Sequence, residues 1–349
     1  MSGENTLVNV SIIIKALNEE RRIEAAVVSA LAAVERVGGE VILADSCSTD
    51  RTIERASAHP IRIVQLRHSA ERCCGIGPQL GYQHSSGAFV YILDGDMEML
   101  PGFLPAALAF LQQNPGVAGV GGQVVEANIT GLEYIARMER GALHMGQGSV
   151  DRLDMGGLYR RAAVEQAGYL SDLNLHSYEE LDLGIRLRQK GWALWRLDLP
   201  AVRHHGHEVM PYQLLFKRWR SLYICGLGEV LRAAWRAGRL RMLLQCAHEL
   251  KLYACIILFM SAICLAPLLP ISNALKIPLV LAPCLMVYTA MALRKKSGVK
   301  AAYSLVAWLF NTAGMVRGFL RRRRSPLDPV ASVLLKDIVT TAGAPAGLK

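Results

Sequence analysis

The residues with the clearest capacity for chemistry are Asp94, Gly95 and Asp96, which directly follow an uncharged run at residues 88–93. Two carboxylates two positions apart at the end of a buried strand favour a hard divalent cation such as Mg²⁺ or Mn²⁺. The glycine between them allows a diphosphate to approach the backbone closely. Asp and Gly also form ordinary turns, so the motif gains meaning only from other parts of the chain.

Two further segments could contribute to such a site. Asp45 ends another apolar run and could accept a hydrogen bond from a base N–H, or could simply belong to a turn. The glycine pair Gly156 and Gly157 is followed by Arg160 and Arg161. This arrangement could shape a substrate pocket, or the two arginines could be solvated.

Three carboxylates cluster where a helix is predicted to begin. Ser177 and Glu180 have the spacing of a capping box, which would make Glu180 a partner of backbone amides. Glu179 and Asp182 share a helical face and could pair with Arg186. From these residues alone, a helix cap and a catalytic acid both remain open.

Three imidazoles occur within four residues, at His204, His205 and His207. Histidine binds metals and titrates near neutral pH, so we expect a second metal ligand here.

The elements that must position these residues follow an α/β pattern in the first half of the chain. Strands are predicted at residues 8–14, 40–44, 61–66 and 88–93, and Asn18 is predicted to cap the first helix. Ligands of such sheets gather at the carboxyl ends of parallel strands, where Asp94 is expected. The chain has no G-x-G-x-x-G or Walker sequence, which lowers support for dinucleotide and P-loop sites.

Charge is divided unevenly along the 349 residues. Residues 1–200 carry 18 basic and 24 acidic side chains, whereas residues 201–349 carry 21 and 5. The acidic front half argues against nucleic acid as a partner, and the basic half is also the apolar one, which favours an anionic membrane surface. The eight cysteines show no metal-ligand spacing and are expected to be reduced. No signal peptide is visible at the amino terminus.

Two uncharged stretches, residues 252–270 and 277–293, approach the length needed to cross a bilayer and predict a helical hairpin. A buried helix pair in a soluble core is the alternative. Lys251 and Arg294 would place both flanks on the cytoplasmic side. A third segment, residues 301–320, ends at four arginines and is therefore expected to be interfacial or re-entrant.

These patterns give four predicted regions. Residues 1–210 form the catalytic domain, and residues 211–250, which interleave tryptophan and tyrosine with arginine, form a basic amphipathic interfacial region. Residues 251–324 contain the membrane helices, and residues 325–349 are expected to be a flexible tail. The protein is predicted to lie at the inner (plasma) membrane with its catalytic domain in the cytoplasm.

Taken in order, five motifs resemble the family 2 inverting glycosyltransferases of the GT-A fold over about residues 8–210. They are the segments 12–20, 44–52, 93–96, 159–168 and 179–192. The resemblance implies a mixed sheet with helices on both faces. It also implies transfer of a sugar from a nucleotide-diphosphate donor, commonly linked to uridine.

The resemblance also implies roles for particular residues. Ala16, Glu19 and Asp45 would hold the nucleobase, and Asp94 would face the ribose. Asp96 would bind Mg²⁺ or Mn²⁺, with His204 or His205 touching the metal or diphosphate. Glu180 would be the general base beside Glu179. The remaining assignments are Arg72 for the donor phosphate and Gly157, Asp182, Arg218 and Trp219 for the acceptor or its pocket.

An inverting transfer is one displacement, in which a carboxylate takes the acceptor proton and a cation stabilises the leaving diphosphate. We expect a membrane-presented, lipid-linked saccharide acceptor in envelope or exopolysaccharide assembly. A processive polysaccharide synthase is one alternative, weakened because Gln213 lies two residues too far from Arg218 and Trp219 for a QxxRW motif. A catalytically silent subunit that binds nucleotide sugar is another, since the family usually has Asp at position 180. Nucleotidyl transfer is a third.

Overall fold

The computed structural model describes residues 10–127, 146–206, 210–270 and 272–337. These residues divide into two compact units. Unit 1 comprises the described residues within Met1–Leu175, Glu179–Glu208 and Arg323–Lys349. Unit 2 comprises those within His176–Tyr178 and Val209–Arg322. The predicted boundary at residue 210 is close to the observed one, but the sequence pattern did not indicate that the chain returns to unit 1 after residue 322.

Unit 1 is built on a mixed sheet with ten strands in the described residues. The strands are β1 Val10–Ala16, β2 Gly39–Asp45, β3 Arg62–Leu66, β4 Phe89–Asp94, β5 Met97–Met99, β6 Val117–Glu126, β7 Gly148–Val150, β8 Gly157–Arg160, β9 Ala193–His204 and β10 Ser332–Lys336. Their order is β10-β3-β2-β1-β4-β8-β6-β9-β5, and β7 pairs with β9. The four strands predicted in the first half of the chain are all present.

Helices cover both faces of this sheet, as predicted. They are α1 Ile23–Glu35, α2 Thr52–Ser57, α3 Ile76–Gln83, α4 Phe103–Gln113, α5 Arg161–Ala167 and α6 Glu179–Gln189. Successive side chains of a strand point to opposite faces, so Ile12 and Ile14 enter one apolar core while Ile13 enters another. Burial on both faces explains why these strands are uncharged runs rather than alternating ones.

Parallel pairing brings three strand ends together. β1 lies between β2 and β4, parallel to both. In this register Ala16 is opposite Asp45, and Lys15 is opposite Asp94. The carboxyl edge of the sheet therefore carries most of the residues that the sequence indicated for the donor.

The carboxyl-terminal segment is not a flexible tail over its described part. β10 pairs antiparallel with β3 at the sheet edge, and Val330 is fully packed. Arg323 forms an ion pair with Asp172, and Arg324 with Glu71 at 3.1 Å. An edge strand gains backbone hydrogen bonds from such a partner, which explains why this short segment forms a strand. Residues 338–349 lie outside the described residues.

Unit 2 consists of helices. They are α7 Pro211–Arg220, α8 Gly226–Arg236, α9 Leu240–Cys246, α10 Glu249–Leu265, α11 Asn273–Lys295 and α12 Gly298–Leu320. The single basic helical region that we predicted is thus three short helices, because Leu222 at φ 64° and Gly238 at φ 68° break the chain between them.

Two of these segments are long and apolar enough to cross a bilayer, Glu249–Leu268 and Ala274–Lys295. Only 17% of the first and 6% of the second is buried inside the protein. A helix pair in a soluble core would be mostly buried, so this exposure disfavours the soluble alternative. Length and composition alone are weak evidence for a membrane.

Candidate functional site

The Asp94-Gly95-Asp96 turn packs against the end of β1. The Gly95 backbone N–H donates to the Lys15 carbonyl at 2.9 Å. A Cβ atom at Gly95 would lie 3.0 Å from Glu19 Cγ and 3.1 Å from the Ala16 Cβ. A side chain at this position would have to displace these atoms, so glycine suits the close approach that sets both aspartates beside the ends of β1 and β2.

Lys15 is the residue at this site that our sequence interpretation missed. Its ammonium lies 3.0 Å from Asp94 Oδ1 and 3.1 Å from Glu179 Oε1, and the side chain is mostly buried. A lone lysine in an otherwise uncharged buried strand was the available signal, because such a charge requires a partner.

The charges around Lys15 shift one another's protonation. Burial alone would lower the pKa of Lys15, but Asp94, Glu179 and Glu180 raise it well above its usual value. Burial raises the pKa of Asp94, and the Lys15 ammonium opposes that shift. Lys15 therefore stays positive and favours the ionised form of the carboxylates around it.

Asp45 presents one free oxygen at the end of β2. Its Oδ2 accepts hydrogen bonds from the Ser48 backbone N–H and from Gln65 Nε2, both at 2.9 Å. Its Oδ1 is buried without a hydrogen-bond partner in the described part of the chain. An unsatisfied buried acceptor is costly, so the arrangement suits a ligand N–H. Sequence reasoning found Asp45 but not Gln65, which lies on β3.

Arg72 contacts the loop that follows Asp45. Its Nη2 donates to the Cys47 carbonyl at 2.6 Å, and Cys47 adopts φ 61°. The side chain thereby supports a strained turn at the predicted donor site.

The loop after β1 is held in the same region. The Glu19 backbone N–H donates to Thr52 Oγ1 at 2.8 Å, and Asn18 Oδ1 accepts from the Thr49 N–H at 2.8 Å. The prediction that Asn18 caps a helix was wrong, because α1 begins at Ile23 and Asn18 adopts φ 59°. Asn18 instead joins this loop to the loop that follows β2.

His204 joins Asp96 on the far side of the turn. Its Nε2 lies 3.4 Å from Asp96 Oδ2, and its Nδ1 lies 2.7 Å from Glu126 Oε2. Burial opposes protonation of His204, but the hydrogen bonds and charges of Asp96 and Glu126 raise its pKa to about 9. The sequence pattern did not point to Glu126.

The donor set of Asp96 and His204 fits a divalent cation. Glu126 at Nδ1 orients the ring in the manner of the carboxylates that support metal-bound histidines. Within the described residues no group of three or more His, Cys, Asp or Glu is arranged to hold a metal. A site with few protein ligands is typical of Mg²⁺ and Mn²⁺, which take the remaining oxygens from water and substrate phosphates.

His205 does not share this position. His205 follows the last residue of β9, and its Nε2 lies 2.6 Å from Glu98 Oε1. The expectation that His205 could be a metal ligand is therefore not supported by its contacts. His207 lies outside the described residues.

Glu179 and Glu180 have different surroundings at the start of α6. Glu179 is buried and bound to Lys15. The Glu180 carboxylate is partly buried and accepts no hydrogen bond from any described residue. The capping box does not form, since the Ser177 hydroxyl donates to the Tyr223 carbonyl at 2.8 Å instead.

The surroundings of Glu180 raise its pKa, as is common for a catalytic general base. Burial raises its pKa well above the usual value, and the charges of Glu179, Asp154 and Asp94 add to this shift. Lys15 opposes it. A carboxylate with a raised pKa and no hydrogen bond to the described residues is a candidate general base. The side chain also lines a small cavity with Pro78, Ile92, Leu170, Ser171, Glu179 and Leu183.

Three other residues that we had assigned to a pocket have structural contacts instead. Arg160 donates to the Val117 carbonyl at 2.9 Å, and Arg161 donates to the Gly87 carbonyl at 2.6 Å, so neither shapes a pocket. Gly157 lies in β8 opposite Ile92, where an added Cβ would be 3.0 Å from the Leu153 side chain. Its position is explained by strand packing.

Asp182, which we had assigned to an acceptor pocket, instead forms a buried ion pair. It is 2% exposed, and its Oδ2 lies 2.7 Å from the Nε of Arg186, the helical pairing that the spacing indicated. Arg186 also donates to the carbonyl groups of Tyr169 and Leu170. The pair therefore fixes the loop that precedes the acidic cluster.

Replacing Asp182 by Ala should lower the free energy of unfolding by about 3–5 kcal/mol, because it leaves the buried Arg186 cation uncompensated. Denaturant unfolding would measure this loss. The exposed pair Arg51 and Glu54, 2.7 Å apart, supplies the control: Glu54→Gln should leave the denaturation midpoint nearly unchanged. Equal midpoints for Asp182→Ala and the unchanged protein would contradict this role.

Arg218 and Trp219 belong to unit 2. The Arg218 guanidinium lies 5.2 Å from the centre of the Tyr223 ring, and Trp219 packs edge-on against Phe310 with ring centroids 5.5 Å apart. The Arg317 guanidinium lies over the Trp219 ring, 5.3 Å from its centroid. Arg218 and Trp219 therefore both have packing partners within the helical unit.

Comparison with known proteins is consistent with this geometry. Residues 11–167 match the model of Glycosyl transferase family 2. No curated protein matches the chain in sequence.

Solved structures show the same fold at low identity. The mannosyltransferase PcManGT from Pyrobaculum calidifontis, solved with GDP-Man and Mn2+, is 18% identical with a TM-score of 0.58; the match covers 89% of this chain and 87% of that one. S. aureus TarS 1–349 is 18% identical with a TM-score of 0.47, covering 62% and 65%. Glucosyl-3-phosphoglycerate synthase from Mycobacterium tuberculosis is 21% identical with a TM-score of 0.44, covering 62% and 78%.

The likeness to the mannosyltransferase supports the fold, and the other two scores are too low to add to it. The matches to the two TarS chains span only 65% and 43% of their lengths. The family match lies on the strands and loops that carry Ala16, Asp45, Asp94 and Asp96. Residues 11–167 of this chain thus match Glycosyl transferase family 2, and the fold is that of the GT-A glycosyltransferases.

Proposed function

We propose that the protein moves a sugar, with inversion, from a nucleotide-diphosphate donor to an acceptor hydroxyl presented at the membrane. The observation that carries this proposal is the Glu180 carboxylate, which has a raised pKa and no hydrogen bond to a described residue. A single displacement needs one base on the acceptor side and charge neutralisation on the leaving-group side.

The donor nucleotide would occupy the carboxyl edge of the sheet. The unsatisfied Asp45 Oδ1 suits a uracil N3–H, which favours a UDP-linked sugar, while Ala16 and Glu19 flank the same edge. Asp94 would bind the ribose, with its charge maintained by Lys15. Arg72 supports the adjoining turn.

Asp96 and His204 would hold Mg²⁺ or Mn²⁺. When bound, such a cation supplies positive charge to the leaving diphosphate. Lys15 binds Glu179 and lowers the pKa of Glu180. Glu180 then takes the proton of the acceptor hydroxyl.

The chain path supports membrane attachment through a hairpin. Unit 1 contains residues both before and after unit 2, so a chain that enters a bilayer between residues 208 and 323 would cross it an even number of times. Two helices are apolar and long enough to span. This count agrees with a hairpin whose flanks both face the cytoplasm and with an α12 that does not span.

The acceptor is proposed to be a lipid-linked saccharide in envelope or exopolysaccharide assembly at the inner membrane. Residues 211–248 carry seven Lys and Arg against the single acidic Glu229, a balance that suits anionic lipid headgroups. A catalytic unit fixed to that surface would meet lipid-linked acceptors directly.

The test uses the full-length protein in detergent with a bacterial membrane lipid extract. UDP-glucose, UDP-N-acetylglucosamine and GDP-mannose would be offered with Mg²⁺, with Mn²⁺ and with chelator. We expect sugar to enter the lipid fraction only with a cation and from a uridine donor. If the donor is consumed equally with and without the lipid extract, the proposed lipid-linked acceptor is wrong. Long saccharide chains as products would indicate a processive synthase.

Replacing Lys15 by Met should move the acidic limb of the pH–kcat profile to higher pH. The base acts only when ionised, and Lys15 holds its pKa down, so losing the ammonium raises the pKa of Glu180. Rates measured across the pH range would show the shift. Lys190→Met, at an exposed lysine, is the control, and superimposable profiles for Lys15→Met and Lys190→Met would contradict this coupling.

A further inference from the structure

Gln65 places a polar side chain beside the carboxylate that is proposed to bind the donor base. Its Nε2 donates to Asp45 Oδ2 at 2.9 Å. The two residues are partners in the parallel ladder of β2 and β3, so their side chains lie on the same face of the sheet. Asp45 is 0% exposed, and the hydrogen bond is therefore made in the interior of unit 1.

The two oxygens of Asp45 differ in their remaining capacity. A carboxylate oxygen accepts about two hydrogen bonds. Oδ2 accepts one from Gln65 Nε2 and one from the Ser48 backbone N–H. Oδ1 is buried and accepts none from the described residues. Asp45 therefore offers a ligand one oxygen rather than two.

This difference discriminates between nucleobases. Uracil has one imide N–H, which is flanked by two carbonyl groups. Guanine has an N1–H beside its N2 amino group, and these two neighbouring donors match a carboxylate with both oxygens free. Because Oδ2 is already saturated, guanine would leave its second donor without this acceptor. A uracil carbonyl would instead meet an oxygen whose negative charge is already offset by two N–H groups.

The strand that carries Gln65 is held along both edges. β2 pairs with it on one side, and β10 pairs with it on the other, where Val333 is opposite Gln65. The ladder continues beyond β3, since the Arg67 backbone N–H donates to the Ala331 carbonyl at 2.9 Å. A binding group placed on a strand fixed in this way is held more precisely than one on a loop.

We propose that Gln65 is a specificity-determining residue of the donor site. By saturating Oδ2 of Asp45, it selects a base with one imide N–H, as in uridine and thymidine diphosphate sugars, against the guanine of guanosine diphosphate sugars. This inference rests on the proposed function, in which Asp45 holds the donor base.

The experiment compares Gln65→Met and Gln65→Asn with Gln112→Met, at an exposed glutamine of α4. Methionine keeps the length of the side chain but has no N–H group. Asparagine keeps the amide but is one methylene shorter, so it does not reach Oδ2 at the same distance. Calorimetric titration of each full-length protein with UDP and with GDP, both in the presence of Mn²⁺, gives the two dissociation constants and the number of binding sites.

We expect the unchanged protein and Gln112→Met to bind UDP more tightly than GDP. In Gln65→Met and Gln65→Asn this preference should fall about tenfold, the usual effect of one hydrogen bond to a charged group. UDP should bind more weakly, because its carbonyl faces a less shielded carboxylate oxygen. GDP should bind more tightly, because that oxygen is free to accept from the guanine amino group.

Three results would overturn the inference alone while the unchanged protein transfers sugar. The first is an equal weakening of UDP and GDP in both Gln65 variants, which would indicate a merely structural role. The second is loss of every binding site in both variants, which would indicate a role in folding. The third is a preference of the unchanged protein for GDP. If the unchanged protein binds neither nucleotide and consumes no donor, the proposed function fails and the inference fails with it.

Discussion

Replacing Glu180 by Gln should reduce transfer by about 10²- to 10⁴-fold, the usual contribution of a general base. Glutamine keeps the size of the side chain but cannot accept a proton, so the acceptor hydroxyl is no longer activated. Nucleotide binding in the presence of cation should persist, because Glu180 is not placed on the donor. Steady-state rates and calorimetric titration with UDP would measure the two effects separately.

Glu35→Gln is the matched control, since Glu35 is an exposed glutamate at the end of α1. It should transfer at the unchanged rate. Turnover near normal in Glu180→Gln would remove the assignment of this residue as base. Loss of nucleotide binding in the same variant would show that the residue serves the donor instead.

Replacing Asp96 by Ala should lower cation-dependent nucleotide affinity by about 10²-fold, because a cation at a diphosphate is worth several kcal/mol. Asp96 supplies the carboxylate oxygen, and His204 Nε2 lies 3.4 Å from it. Titration with UDP, with and without Mn²⁺, would measure the loss. Transfer should fall with it.

Asp198→Asn, at an exposed position of β9, should bind nucleotide and cation normally. If Mn²⁺ strengthens UDP binding to Asp96→Ala as much as it does in the unchanged protein, Asp96 is not a ligand of the metal. The comparison between Glu180→Gln and Asp96→Ala then separates a proton-transfer role from a donor-binding role.

The strands and their ends were predictable from local sequence. Val10–Ala16 and Phe89–Asp94 are β-branched or apolar runs buried on both faces, so their type and approximate bounds follow from composition. The Asp94-Gly95-Asp96 turn followed because its residues are adjacent. The buried pair of Asp182 and Arg186 followed from helical spacing.

The remaining contacts depend on tertiary pairing that no local pattern contains. Lys15 meets Glu179 across 164 positions, and Gln65 reaches Asp45 from a neighbouring strand. His205 was assigned to the metal because it adjoins His204, whereas its ring contacts Glu98 in the fold. β10 was missed because a segment of only five residues becomes a strand only when an edge such as β3 pairs with it.

Glu180 illustrates how the structure chooses between two local interpretations. The capping-box spacing was present in the sequence, but Ser177 is used by the Tyr223 carbonyl and Glu180 is left without a hydrogen bond from a described residue. Burial and the neighbouring carboxylates then raise its pKa. The raised pKa of this residue thus arises from packing rather than from its motif.

The anomeric configuration of the product tests the central claim most directly. The full-length protein would be incubated with an α-linked nucleotide sugar, cation and lipid extract, and the coupling constant of the anomeric proton would be measured by NMR on the isolated glycolipid. A single displacement assisted by Glu180 predicts a β-linked product. An α-linked product would contradict the mechanism, because retention requires a second displacement or a different attacking face.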